Sequence, residues 1–285
     1  MKNKYFLIVA ILFGAISVTS CGKDDNDPKN DPSTGTEQGE INNPTNNTNQ
    51  NNNSNTDDND SSNKDNSSNQ SDNSFSGETG KIGGIGYVDL GLPSGLLWAT
   101  CNVGAENPEE IGGFFSWGET KTNTKYSSST YKFGSSPTKY NKTDGLTVLE
   151  AEDDAATANL GNDWRMPTKE ECQELLNECA WVWTDNYKNT NVKGRIVYNK
   201  NISGKYDVSK NIHIFLPAAG YYGGTTNYDN NFGRYWSATL YDYINPLSGE
   251  VLGFVTAETI CGGEYYYMTH NARNNGLLIR PVHNK

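Results

Sequence analysis

From Gly22 to Gly80 the chain is built of Asn, Ser, Asp, Thr, Gly and Pro, with single apolar residues at Ile41 and Phe75. Such a stretch cannot bury enough apolar surface to offset the entropy lost on ordering it. Whatever folds must therefore be drawn from the rest of the chain. Twelve acids against Lys23, Lys29 and Lys64 give this region −9 of the chain's −11. We expect residues 21–80 to be a disordered acidic Asn/Ser-rich tether, with a typical end-to-end distance of about 40–45 Å before charge repulsion extends it. Interspersed acids and prolines weigh against aggregation of the Asn-rich run. The Gly and bidentate Glu spacing of an EF-hand loop is missing. Residues 81–285 are left for one domain with a single core. With Lys2 and Lys4 at +2, that part carries −4 and shows no basic face. A nucleic-acid partner is not expected.

The first twenty residues read as a signal peptide, with Lys2 and Lys4 before an apolar run from Phe6 to Ile16. That run is shorter than the roughly twenty residues a membrane-spanning helix needs. It ends in Val18-Thr19-Ser20-Cys21-Gly22, which resembles a bacterial lipobox. The resemblance implies cleavage before Cys21 and acylation of its thiol and new amino terminus. Lys23-Asp24-Asp25 resembles the signal that sends lipoproteins of the Bacteroidetes to the outer face of the outer membrane. The expected partner of this end is the outer membrane, held through acyl chains on Cys21.

In the folded part, Gly95–Cys101 and Gly113–Gly118 read as strands. A helix is expected over Glu150–Leu160, closed by Gly161-Asn162. Thr168 and Glu171 make a capping box, and Cys172, Leu175, Leu176 and Cys179 follow as a buried helical stripe. Further strands are expected at 195–198, 212–216, 235–240, 251–255 and 277–282. Two helices followed by short strands point to an α+β fold.

Five ordered segments carry a more specific resemblance. These are Val88-Asp89-Leu90-Gly91-Leu92-Pro93-Ser94-Gly95-Leu96-Leu97-Trp98-Ala99-Thr100-Cys101-Asn102-Val103-Gly104-Ala105, Phe115-Ser116-Trp117-Gly118-Glu119-Thr120, Trp164-Arg165-Met166-Pro167-Thr168, Phe215-Leu216-Pro217-Ala218-Ala219-Gly220, and Tyr235-Trp236-Ser237 with Arg280-Pro281-Val282. Across nearly all of 84–283 they resemble the Fibrobacter succinogenes major paralogous domain, found in surface lipoproteins of gut Bacteroidetes. The resemblance implies a C-type lectin-like fold with two helices and short antiparallel strands, related to formylglycine-generating enzymes and to variable proteins of diversity-generating retroelements. It implies no common activity.

The cysteines, histidines and carboxylates offer several chemistries. A bridge between Cys101 and Cys179, both in segments that match the family, is one reading in an oxidising compartment; buried free thiols are the other. Formylglycine-type oxidases place a close cysteine pair near the C-terminal end, whereas this chain has Cys261 alone there. His213 alternates with Ile212 and Ile214 and is expected to face outward, and His283 lies close to the end. The calcium motifs of lectins have their counterparts here in the wrong order, as Glu106-Asn107-Pro108 and Asn162-Asp163-Trp164. No spacing suggests zinc, and GxSxG, HExxH and P-loop motifs are missing. Glu119 is expected to be a structural hydrogen-bond acceptor. Neither a catalytic residue, a metal nor a cofactor is expected.

The remaining signal is aromatic and polar. Tyr228 and Asn230 fall in one Gly-rich loop, Tyr241, Asp242 and Tyr243 in a second, and Tyr265, Tyr267, His270 and Asn271 in a third. Tyrosine supplies rigid apolar area plus a hydroxyl at little entropic cost. These residues are expected to bind a glycan or protein ligand. An accessory subunit of a surface assembly is the alternative, and an enzyme of unknown type stands third. Trp236 and Arg280 are expected to be structural.

Overall fold

The computed structural model describes residues 77–161, 163–241, 256–263 and 265–285. Cys21, Asp242, Tyr243 and the strand expected at 251–255 lie outside them. The architecture is mixed α+β and mostly β, with few helices and antiparallel strands in curled sheets. Among the described residues no helix is long and apolar enough to cross a membrane.

Strands β1 (Gly80–Ile82), β2 (Ile85–Asp89) and β3 (Leu97–Ala99) open an antiparallel sheet. It is completed by β13 (Val282–His283) between β3 and β4 (Trp164–Arg165), where Val282 faces both Trp98 and Arg165. The sheet therefore joins the two ends of the domain. The fold begins slightly before the compositional boundary: Gly77 is buried against His213, and Thr79 N–H donates to Tyr87 O at 2.7 Å.

The helix expected over 150–160 is interrupted at Asp154. Its carboxylate accepts from the N–H groups of Ala156 (2.8 Å) and Thr157 (3.0 Å), the partners of an N-cap, and from Met166 N–H (2.8 Å). A 3-10 turn at Ala151–Asp153 precedes it, and α1 (Ala155–Leu160) follows. The next helix, α2 (Lys169–Glu178), begins with the expected capping box: Thr168 Oγ1 accepts from Glu171 N–H, and Glu171 Oε2 from Thr168 N–H. Arg165 grips the same Glu171 carboxylate with two nitrogens at 2.7 and 2.6 Å.

Cys179 does not belong to that helix. Its backbone is extended (φ −109°, ψ 152°), and it opens β5 (Cys179–Thr184). The position fits both the i+7 stripe of a helix and the alternation Cys179, Trp181, Trp183 of a strand, and the run Trp-Val-Trp-Thr favours the strand. β5 pairs with β6 (Gly194–Asn199), and β6 with β7 (Ile214–Pro217). β8 (Tyr221–Gly223) and β9 (Thr226–Tyr228) form a hairpin. β10 (Gly233–Leu240), β11 (Thr256–Gly262) and β12 (Tyr266–Ala272) form the last antiparallel sheet.

Residues 113–118 do not form the expected strand. Phe115 makes a two-bond bridge with Leu277, and Trp117 N–H then donates to Arg273 O, so the segment crosses between partners instead of running along one. The closing strand is shorter than 277–282 because Pro281 has no N–H and Arg280 turns inward. The Arg280 guanidinium, 1 % exposed, donates to Asn102 Oδ1, Ala99 O, Thr100 O and Phe215 O at 2.7–3.1 Å. Strand alternation on β10 feeds two core clusters, sending Tyr235 into one and Trp236 into the other. Trp236 Nε1 donates to Phe115 O at 2.7 Å and Trp117 Nε1 to Ser237 O at 2.9 Å, so both indoles are buried without loss of a hydrogen bond. Each such side chain contributes roughly 1.5–3 kcal/mol of burial.

Cys101, Cys172 and Cys179 are free thiols, so the Cys101–Cys179 bridge is not formed. The Cys101 thiol is half-buried and donates to Glu106 O at 3.4 Å, whereas Cys179 is packed into the core with Leu175 and Trp181. His213 does not face outward either. It is 1 % exposed, with Nε2 2.8 Å from the Tyr187 hydroxyl and Nδ1 2.8 Å from Asn211 O.

Candidate functional site

The hairpin β11–β12 brings aromatic residues to one end of the last sheet. Tyr265, Tyr266 and Tyr267 stand at and just beyond its tip, 68 %, 42 % and 47 % exposed. Pairing of Gly233 with Gly262 sets the preceding loop, with Asn231 and Phe232, beside that tip. Contact there is close: a Cβ on Gly263 would meet Phe232 Cδ1 at 2.0 Å. A bare backbone at 263 is what lets the Phe232 ring lie against the tip.

The opposite wall comes from β5 and β6. Trp181 and Trp183 lie on one face of β5, and Arg195 pairs with Trp183 across the ladder. Tyr266 stacks on Trp181 with ring centres 5.2 Å apart and planes 8° apart. The Arg195 guanidinium sits 5.5 Å from the centre of the Trp183 ring and equally far from that of Tyr266. It donates to Trp181 O at 3.0 Å and to Gly263 O, which ties the two sheets together at this point. Burial lowers its pKa from the ordinary arginine value. Between these walls, Trp183, Arg195, Asn231 and Phe232 line a solvent-open cleft of about 500 Å³. At its rim the Lys193 amine donates to Asn231 Oδ1, and the Trp183 indole donates to Asp185 at 2.8 Å.

A neighbouring cluster is organised by Gly220. Its φ of +69° suits glycine, and a Cβ there would lie 2.0 Å from Tyr228 O, so the β8–β9 hairpin folds back tightly on it. Tyr228, 46 % exposed, stacks on Tyr221 at 5.5 Å. Arg234 lies over the other ring of that pair, 5.1 Å from the centre of Tyr221, and bonds Asp229 at 3.1 Å. Asn230 is exposed beside them.

The expected ligand residues are thus divided. Tyr228, Asn230, Tyr265 and Tyr267 are exposed around the hairpin tip and the loop beside it. His270 and Asn271 lie further along β12, His270 about 13 Å from Tyr266 at strand spacing. The rings of Tyr241 and His270 stack there at 4.1 Å. Asn271 is engaged locally, its Oδ1 accepting from Ala272 N–H and from Asn275 Nδ2. Trp183, Lys193, Arg195 and Phe232 escaped the sequence reading. The alternation Trp181-Val182-Trp183 is the sequence signal for the β5 wall, and it is obscured when Cys179 is assigned to the helix.

Other reactive groups are committed elsewhere. Burial pushes the Cys179 thiol up to about 12, which leaves it protonated and poorly nucleophilic. Glu150, Glu152 and Asp153 converge on the Lys139 amine at 2.6–2.7 Å, so a protein cation holds the centre of that cluster and its own pKa is raised by those hydrogen bonds. Glu119 accepts from Lys132 N–H and Asn123 Nδ2, the structural part expected of it. Arg273 is enclosed by the rings of Trp117, Tyr131, Phe133 and Tyr140, and donates to Tyr131 Oη at 3.0 Å. Comparison with family profiles, curated proteins and solved structures finds no match to this chain.

Proposed function

We propose that this chain is a lipid-anchored cell-surface binding module that recognises a glycan through the cleft between Trp183 and Phe232. The observation that carries the reading is the cleft itself: aromatic walls at a solvent-open opening, with Asn231 and Lys193 offering polar contacts at the rim. Sugar rings suit such a surface, because their C–H faces lie on aromatic planes while their hydroxyls bond the polar rim. The C-type lectin-like fold and the Fibrobacter succinogenes major paralogous family belong to the same proposal. They are supported by the five motif segments and by the mixture of few helices with short antiparallel strands. Anchoring to the outer membrane, facing the exterior, rests on the sequence around Cys21.

Binding of the intact chain to an array of host and plant glycans tests the reading, beside Trp183→Ala and Tyr241→Ala. Saturable binding should weaken about tenfold or more in Trp183→Ala, as a lost stacking platform predicts, and should persist in Tyr241→Ala. An array that stays blank, or binding indifferent to Trp183→Ala, would refute the cleft as a sugar site. In cells that produce the protein, fatty-acid label should enter the chain and be lost in Cys21→Ala; label retained in that variant would remove the anchor.

A further inference from the structure

The last sheet is covered along β10 and open along β12. On β10, Arg234 O accepts from Leu278 N–H and Trp236 N–H donates to Leu278 O, so both residues aim these groups away from β11. Bonded and non-bonded pairs alternate in an antiparallel ladder. Tyr235 therefore bonds Ile260, and the next bonded pairs are Thr259 with Thr269 and Cys261 with Tyr267. Tyr266, Met268, His270 and Ala272 are left with their N–H and C=O groups aimed outward. Ala272 is answered locally, its N–H donating to Asn271 Oδ1 and its C=O accepting from Asn275 N–H. For Tyr266, Met268 and His270 no backbone partner stands on that side among the described residues.

Open edges are ordinarily guarded by a lysine, a proline, a bulge or a covering group. Elsewhere β1 carries Lys81, β4 carries Arg165, β7 ends in Pro217, and Trp181 O on β5 accepts from Arg195. Strand β12 has no such guard: Tyr266–Ala272 contains no Lys, Arg, Asp, Glu or Pro, and its pairing with β11 runs without a shift of register. We infer that β12 pairs with β12 of a second copy of this chain, antiparallel across a twofold axis at Met268. The register follows from the open groups, which are spaced evenly about that residue. Met268 meets Met268 of the second copy, and Tyr266 meets His270 in both directions, through about six backbone hydrogen bonds. Between them Tyr267 lies beside Thr269 of the second copy, an aromatic and β-branched pair of the kind that stabilises sheets. A twofold contact sets like against like near its axis, so a charged strand would repel itself. This strand is free of formal charge in a chain that carries −11.

Sedimentation of the full chain over a range of concentrations should show a monomer–dimer equilibrium. His270→Pro removes one outward N–H from each copy. It should weaken the dimer about tenfold or more while the far-UV circular dichroism stays that of the parent. Cross-linking reads the register independently of that variant. Under mild oxidation a mixture of Tyr267→Cys and Thr269→Cys chains should form a mixed disulfide dimer, since such a pair has a Cα spacing of about 4.5 Å. Either variant alone should cross-link far less. A chain that stays monomeric up to about millimolar concentration would overturn the pairing and leave the edge to a foreign strand. A dimer indifferent to His270→Pro, or one that cross-links no better in the mixture, would place the contact elsewhere and overturn it equally.

Discussion

His213 is held as a neutral imidazole between the Tyr187 hydroxyl and Asn211 O, and burial lowers its pKa below the ordinary histidine value. The unfolded chain therefore binds a proton that the folded one resists. The bond to Asn211 O opposes this shift, and the charge of Lys188 on the neighbouring 3-10 turn adds to it. This contribution to stability is complete above the unfolded value near 6.5 and is lost as pH falls below it. The melting temperature should drop between pH 7 and pH 5, and drop less in His213→Gln; equal slopes would show that another group controls acid stability. Residue by residue, the strongest sequence signals proved to be interior ones. Trp98, Trp117, Trp164, Trp236 and Arg280, which carried the family resemblance, are all buried. Packing demands leave conspicuous motifs, whereas Lys193, Arg195 and Phe232 become a site only when β6 and the β11–β12 hairpin meet in space.

Elements show the same division in another form. The capping box at Thr168 was legible because its two bonds are local, and the structure forms both. Thr168→Ala should cost about 1 kcal/mol, read as a shift of the denaturation midpoint without a change of slope; a loss far below that would mean that Arg165 alone holds Glu171 in place. The end of α2 was not legible, because Cys179 satisfies two periodicities and only pairing with Asn199 on β6 decides between them. Asp154 likewise breaks its expected helix through a bond to Met166, twelve residues away. Strands β8 and β9 are three residues each, and with β11 and β12 they are rich in Gly, Thr, Asn and Tyr, without the apolar alternation that marks a half-buried strand. For the candidate site, this hid the walls but not the tyrosines, which are exposed and numerous enough to be noticed by composition.

Across the molecule, the α+β class could be read from the sequence. Sheet order could not, because it depends on β13 entering between β3 and β4. Deleting residues 282–285 should remove the strand that joins β3 to β4, together with the Lys285–Asp89 bond at 2.7 Å. Such a chain should lose cooperative thermal unfolding; a sharp transition at the parent temperature would show that the sheet survives without its middle. The pairing of Trp98 with Val282 also has a bearing on time. A ribosome finishes β3 long before it reaches β13, and the early strands must wait beside one another with a vacant place between β3 and β4. Contacts so distant in sequence make folding slow, so this sheet stays incomplete until β13 has been made.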